Sequence, residues 1–194
     1  MSRCIGAVLT IAILLAASGC KTGLIPDARP QGPRAKVEDM SVVTRDLSDF
    51  KHVEVELPRN DSSATLAPEF LRGIRQKTVE TLAALWLFEV VMGVDESETG
   101  RELAPTLIVQ TRITRVGAPM KIGALTSGCH VTAEVTFIEK ISGTVLGAYR
   151  LQAPVKGETP FSAENNGAFT RFSLAITDIL EDHAPRAADK RWGG

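Results

Sequence analysis

The sequence predicts an α/β fold of the α+β type: a two-layer sandwich with one mostly antiparallel five-stranded sheet and two helices on one face. Three observations predict it. Segments along the middle of the chain alternate apolar and polar residues, as half-buried strands do. Two longer segments switch to helical spacing, each with one apolar stripe. The outward strand positions are Thr, Gln, Arg and Glu, which argues against a doubly wound fold, whose sheet is apolar on both faces.

The first strand is "HVEVEL", His52 to Leu57. Val53, Val55 and Leu57 face one way, and His52, Glu54 and Glu56 the other. "PRNDSSAT" breaks it. From Ala67 to Leu87 the spacing is helical: Phe70, Ile74, Leu82 and Leu85 share a face with Thr78, and Pro68 is tolerated in a first turn. "FEVVMGV", Phe88 to Val94, is short and apolar, a second strand. The loop "DESETGRE" follows; its carboxylates lack the glycine and downstream glutamate of a calcium loop, so it reads as solvated.

Three strands then form a meander: Thr106 to Val116, Cys129 to Lys140 and Thr144 to Gln152, the last two joined by the turn "ISGT". Leu107, Val109, Ile113, Val131, Ala133, Val135 and Phe137 point to the core. Gln110, Arg112, Thr114, Thr132, Glu134, Thr136 and Arg150 point away. The last helix runs from Ala163 to Asp182, with Ser162 as N-cap, Glu164 in its first turn and Phe169, Phe172, Ile176, Ile179 and Leu180 as its stripe.

The amino end carries a different signal. Arg3 precedes an apolar run, Ile5 to Ala17, that is shorter than the roughly 20 residues a membrane span needs. "LAASGC" ends it at Cys20 in the manner of a bacterial lipobox. Residues 1–19 are thus expected to be a lipoprotein signal peptide, with the Cys20 thiol and new amino group acylated; two or more acyl chains make a stable anchor. The alternatives are an ordinary cleaved signal or an uncleaved anchor, with Cys20 incidental. By analogy with enterobacterial sorting, Lys21 implies the bacterial outer membrane, the protein facing the periplasm. Residues 20–39, rich in proline, are expected to be a flexible tether, residues 40–184 one globular domain and residues 185–194 a loose tail.

Composition narrows the function. The chain has 22 Lys and Arg against 23 Asp and Glu, interspersed, for a net charge of −1. That argues against nucleic acid as a partner, since phosphate binding wants a clustered basic surface. Cys4 leaves with the signal and Cys20 is acylated, so Cys129 is left as a lone thiol and no intramolecular disulfide forms. No nucleophile elbow, zinc helix, P-loop or dinucleotide motif occurs. Cys129 and His130 are neighbours on a strand and point to opposite faces, so they cannot make a nucleophile–base contact. His52, His130 and His183 are scattered and make no ligand set.

Two surfaces remain as candidates for partner binding. One is the outward sheet face, with Arg112 and Glu134 at its centre beside Glu54, Glu56, Gln110 and Thr132; the alternative is an ordinary solvated face. The other is the loop Gly117 to Gly128, whose Met120, Ile122 and Leu125 either contact a partner or fold back on the core.

The pieces "LAASGC", "VEVEL", "FLRGIRQKTVETLAALWLFEVV", "TLIVQTRITRV" and "VTAEVTFIEKISGTVLGAYRLQ" together resemble a family of bacterial lipoproteins grouped as a domain of unknown function (domain of unknown function 4410-like). More loosely, the architecture is similar to lipoprotein accessory domains of envelope machines, such as activators of peptidoglycan synthases and curli-type secretion components. The resemblance implies no catalytic residue and no specific partner. The expectation is a membrane-anchored periplasmic lipoprotein acting as a non-enzymatic adaptor or assembly factor in the cell envelope. It would engage the lipid bilayer through acylated Cys20, bind an envelope protein, and carry no cofactor beyond the covalent lipid. The alternative is a periplasmic carrier of a small apolar or envelope-derived ligand.

Overall fold

The computed structural model describes residues 32–43, 45–96, 104–117, 121–122, 125–126, 129–155 and 166–184. Its elements are β1 (Lys36–Ser41), a 3₁₀ turn (Leu47–Asp49), β2 (His52–Glu56), β3 (Arg59–Asn60), α1 (Pro68–Ala83), β4 (Val90–Val94), β5 (Thr106–Gly117), β6 (Lys121–Ile122), β7 (Leu125–Thr126), β8 (Cys129–Glu139), β9 (Val145–Val155) and α2 (Asn166–His183). The predicted signal peptide, Cys20 and the tail after Ala184 lie outside the described residues, as do Ser162 and Glu164.

Both helices bury the stripes expected of them. Phe70, Ile74, Thr78 and Leu82 are buried along α1, which ends at Ala83 and not at Leu87; Leu85 is buried in the turn that follows, where Trp86 has a positive φ, and Phe169, Phe172, Ile176, Ile179 and Leu180 are buried along α2. These apolar side chains join one core cluster with Val53, Val55, Leu107, Val109, Ile113, Val131, Val135 and Phe137, all from a single face of the sheet. The two helices pack closely because Gly73 has no side chain: a Cβ there would stand 2.5 Å from Cε2 of Phe169. The Phe169 ring fills that space and meets Phe70 edge-on, centroids 5.2 Å apart.

The sheet differs from the expected one. It has seven strands, ordered β1-β9-β8-β5-β2-β4, with β3 pairing β5, and it is mixed rather than mostly antiparallel. The pairs β1–β9, β8–β9 and β5–β8 are antiparallel, whereas β2–β4, β2–β5 and β3–β5 are parallel. The cause is the crossover through α1, which returns the chain to the starting end of the sheet and lays β4 beside β2 in the same direction. β2 thereby sits between two parallel neighbours, and parallel strands are commonly buried on both faces. Glu54 and Glu56, expected on a solvated face, are instead only 8% and 3% exposed.

β1 is the other difference. Lys36–Ser41 runs along the outside of β9, so regular structure begins inside the stretch read as tether. Its attachment is specific. Ala35 is buried and its N–H donates to the Arg171 carbonyl at 3.0 Å, while Arg34 forms an ion pair with Asp178 at 2.7 Å. Past the strand, the buried Val43 N–H donates to the Tyr149 hydroxyl at 3.1 Å. Burial pushes the Tyr149 phenol above its ordinary pKa, and the bond from Val43 partly offsets this. Gly147 makes that crossing possible, since any side chain there would collide with Val43.

The candidate docking face

The face of the sheet opposite the helices is built by the outward residues of β1, β9, β8 and β5. Register places them in rows. Glu38 lies opposite Arg150, Arg150 opposite Glu134, and Glu134 opposite Arg112. Arg150 reaches Glu38 at 3.5 Å and Glu134 at 3.2 Å. Arg112 Nε donates to Asp61 at 2.7 Å, and Arg59, beside Arg112 in register, reaches Glu96 at 2.7 Å. The result is a ladder of alternating charge from β1 to β5, ending where Arg112 and Arg59 lie side by side, each engaged by its own carboxylate. Its members are partly exposed, so each pair contributes only about 0–1 kcal/mol to stability. Its consequence is a defined pattern of charge on the sheet surface, which favours specificity and encounter rate over raw affinity.

One side of this face is closed. Over β2 and β5 the Lys140 ammonium reaches Glu54 Oε1 at 2.6 Å, both side chains being only 10% exposed. Gln110 Nε2 donates to Glu56 at 2.9 Å, and Ile108 is buried there, apart from the main core.

The other side is open. A groove of about 480 Å³ is lined by Lys36, Glu38, Thr114, Arg115, Thr132, Glu134, Arg150 and Gln152. A β-bulge shapes it. Ile113 stands opposite Ala133, but Arg115 stands opposite Thr132, so β5 carries one extra residue, Thr114. The bulge reverses the alternation. Without it Arg115 would share the core side with Ile113; with it Thr114 and Arg115 both line the groove, and Val116 takes the inward position opposite Val131.

Of the residues singled out from sequence, Arg112 and Glu134 come together as direct cross-strand partners. Met120 lies outside the described residues. Ile122 and Leu125 are backbone partners in the short hairpin β6–β7, and their side chains are outside the described residues. Cys129 opens β8 opposite Val155, its side chain likewise outside them; His130 is exposed. His52 is on β2, and His183 ends α2 with Nε2 3.2 Å from the Tyr149 hydroxyl, so the histidines stay apart. Among the described residues no group of three or more His, Cys, Asp or Glu could hold a metal, and no helix is long and apolar enough to cross a membrane.

Sequence reasoning missed Lys36, Glu38, Asp61 and Arg115. For Arg115 a signal was present: two consecutive polar residues, Thr114 and Arg115, between the apolar Ile113 and Val116 mark a slip in the alternation.

No family model matches the chain, and no curated protein matches it in sequence. Solved structures match it in fold. Two crystal forms of the PelC dodecamer from Paraburkholderia phytofirmans superpose with TM-scores of 0.52 and 0.51 at 14% and 13% identity, each covering 78% of this chain and 99% of the other. A protein from Xanthomonas campestris described by the family model DUF330 superposes at 0.45 with 10% identity, covering 79% and 96%. At such identities the likeness to PelC establishes a shared fold and nothing further.

Proposed function

We propose that this protein is a lipid-anchored, non-enzymatic adaptor or assembly factor of the bacterial envelope, of the domain-of-unknown-function-4410-like lipoprotein type, held to the outer membrane by acylated Cys20 and facing the periplasm. The observation that carries the adaptor part is the ladder Glu38–Arg150–Glu134–Arg112–Asp61, an array of alternating charge on a sheet face opposite the helices. Such an array suits recognition of a partner surface with the complementary pattern. The anchor part rests on the apolar run that ends at Cys20. The PelC structures are dodecamers, which supports assembly of copies as one way a domain of this fold works.

Two experiments test the two parts. Cys20→Ser removes the acylated thiol, so the variant takes up no labelled fatty acid and is either released from the membrane fraction or stranded there with its signal uncleaved. Label equal to wild type ends the anchor reading. For the face, Arg112→Gln combined with Glu134→Gln removes the centre of the ladder from an exposed site where substitutions cost only about 0.5 kcal/mol each. Crosslinking in the native host should then recover the partner several-fold less well than wild type, with the melting temperature nearly unchanged. Equal recovery would remove the ladder from the docking surface.

A further inference from the structure

We infer that the groove on the open side of the sheet face is a binding site for a phosphate group. The inference deepens the docking-face reading and rests on it only for location. Lys36, Gln152, Thr132 and Arg115 form one row across β1, β9, β8 and β5, each opposite the next in register. The row therefore has a cation at each end and an amide and a hydroxyl between them. Strands lie about 4.8 Å apart, so the end Cα atoms stand roughly 14 Å apart, a span that a lysine and an arginine can close from both sides onto a ligand above the middle pair.

The charge balance selects an anion. The third cation in the groove, Arg150, is engaged by the carboxylates of Glu38 and Glu134. Lys36 and Arg115 form no ion pair among the described residues, although carboxylates are close on the same face. Two uncommitted cations suit a group of charge near −2 with several acceptor oxygens, which describes a phosphate monoester better than a single carboxylate. Lysine offers three donors and arginine five, and Gln152 and Thr132 add neutral donors between them. The bulge at Thr114 is the second, independent argument. Bulges re-aim side chains, and here one brings into the groove an arginine that strand alternation would send to the core side. The groove is open at the surface of the sheet, so the phosphate group can belong to a lipid headgroup or to a soluble molecule.

The test reads occupancy at Lys36. The full acylated chain is reconstituted in phosphatidylcholine vesicles and treated with an amine-acylating reagent. The modification rate of Lys36 is followed by mass spectrometry, with Lys51 as internal reference. Inorganic phosphate should slow modification of Lys36 but not Lys51 if the source is soluble. Vesicles containing phosphatidic acid, without added phosphate, should do so if the source is a headgroup. In either arm Arg115→Gln should weaken protection about tenfold, the loss of one charge-assisted contact. Protection in neither arm, or protection equal in Arg115→Gln, overturns the phosphate site. Because the readout needs no protein partner, the groove can fail while the docking ladder stands, and the reverse.

Discussion

Replacing Lys140 with methionine lowers the free energy of unfolding by about 3–5 kcal/mol, the usual cost of leaving one member of a buried ion pair alone. The ammonium contacts Glu54 Oε1 at 2.6 Å, both residues are 8% exposed, and Glu54 sits on β2 between two parallel strands. Without Lys140 its carboxylate keeps the desolvation and loses the compensating charge. The double variant Lys140→Met with Glu54→Leu removes both charges, and such apolar replacements of a buried pair are often neutral or stabilising. Urea unfolding followed by circular dichroism should therefore show a deep loss in the single variant and recovery in the double. A single variant within about 1 kcal/mol of wild type would mean that water reaches Glu54 freely.

The second large effect belongs to the helical layer. Phe70→Ala should cost about 3–5 kcal/mol, the range for removing a buried aromatic side chain. Phe70 is fully buried, and its edge contact with Phe169 joins the helices where the missing side chain of Gly73 lets them approach. Phe70→Leu keeps most of the volume and loses the ring contact, so about 1.5 kcal/mol or less is expected from the volume change, with the aromatic pair adding about 0.5–1.5. Thermal unfolding of the two variants separates cavity from ring contact. Equal losses would mean that the ring geometry, not the space it fills, carries the stability.

The helices were legible because a period of 3.6 leaves a mark that short segments cannot imitate: Phe70, Ile74, Thr78 and Leu82 lie where the spacing puts them, whereas Leu85, which fits the same spacing, is buried from the turn after α1. The inward residues of β5 and β8 were legible for the same reason at period 2. Strand direction was not, because alternation is identical in parallel and antiparallel strands, so the pairing of β2 with both β4 and β5 left no trace in "HVEVEL". The burial of Glu54 was hidden as well, since its partner lies 86 residues away. β1 was overlooked because "KVEDMS" is exposed throughout and has no apolar face to betray it. As for the docking face, Arg112 and Glu134 could be read as outward residues, but their adjacency depends on register, and Lys36 enters the groove only through the unforeseen strand.

That strand also has a consequence in time. Arg34 waits for Asp178, 144 residues further along, and Val43 for Tyr149, 106 residues further along. By contrast, β8 and β9 are separated by a short turn. Closing a long loop costs entropy before any contact repays it, so distant pairings form late. The β8–β9 pairing needs only a local turn to close, whereas β1 has neither its neighbour nor its helix until nearly the whole chain has been made. The chain end nearest Cys20 is therefore the last part to be sewn into the fold. Until then the domain has an unfinished seam at β9, a bare strand edge of the kind that invites pairing with another chain.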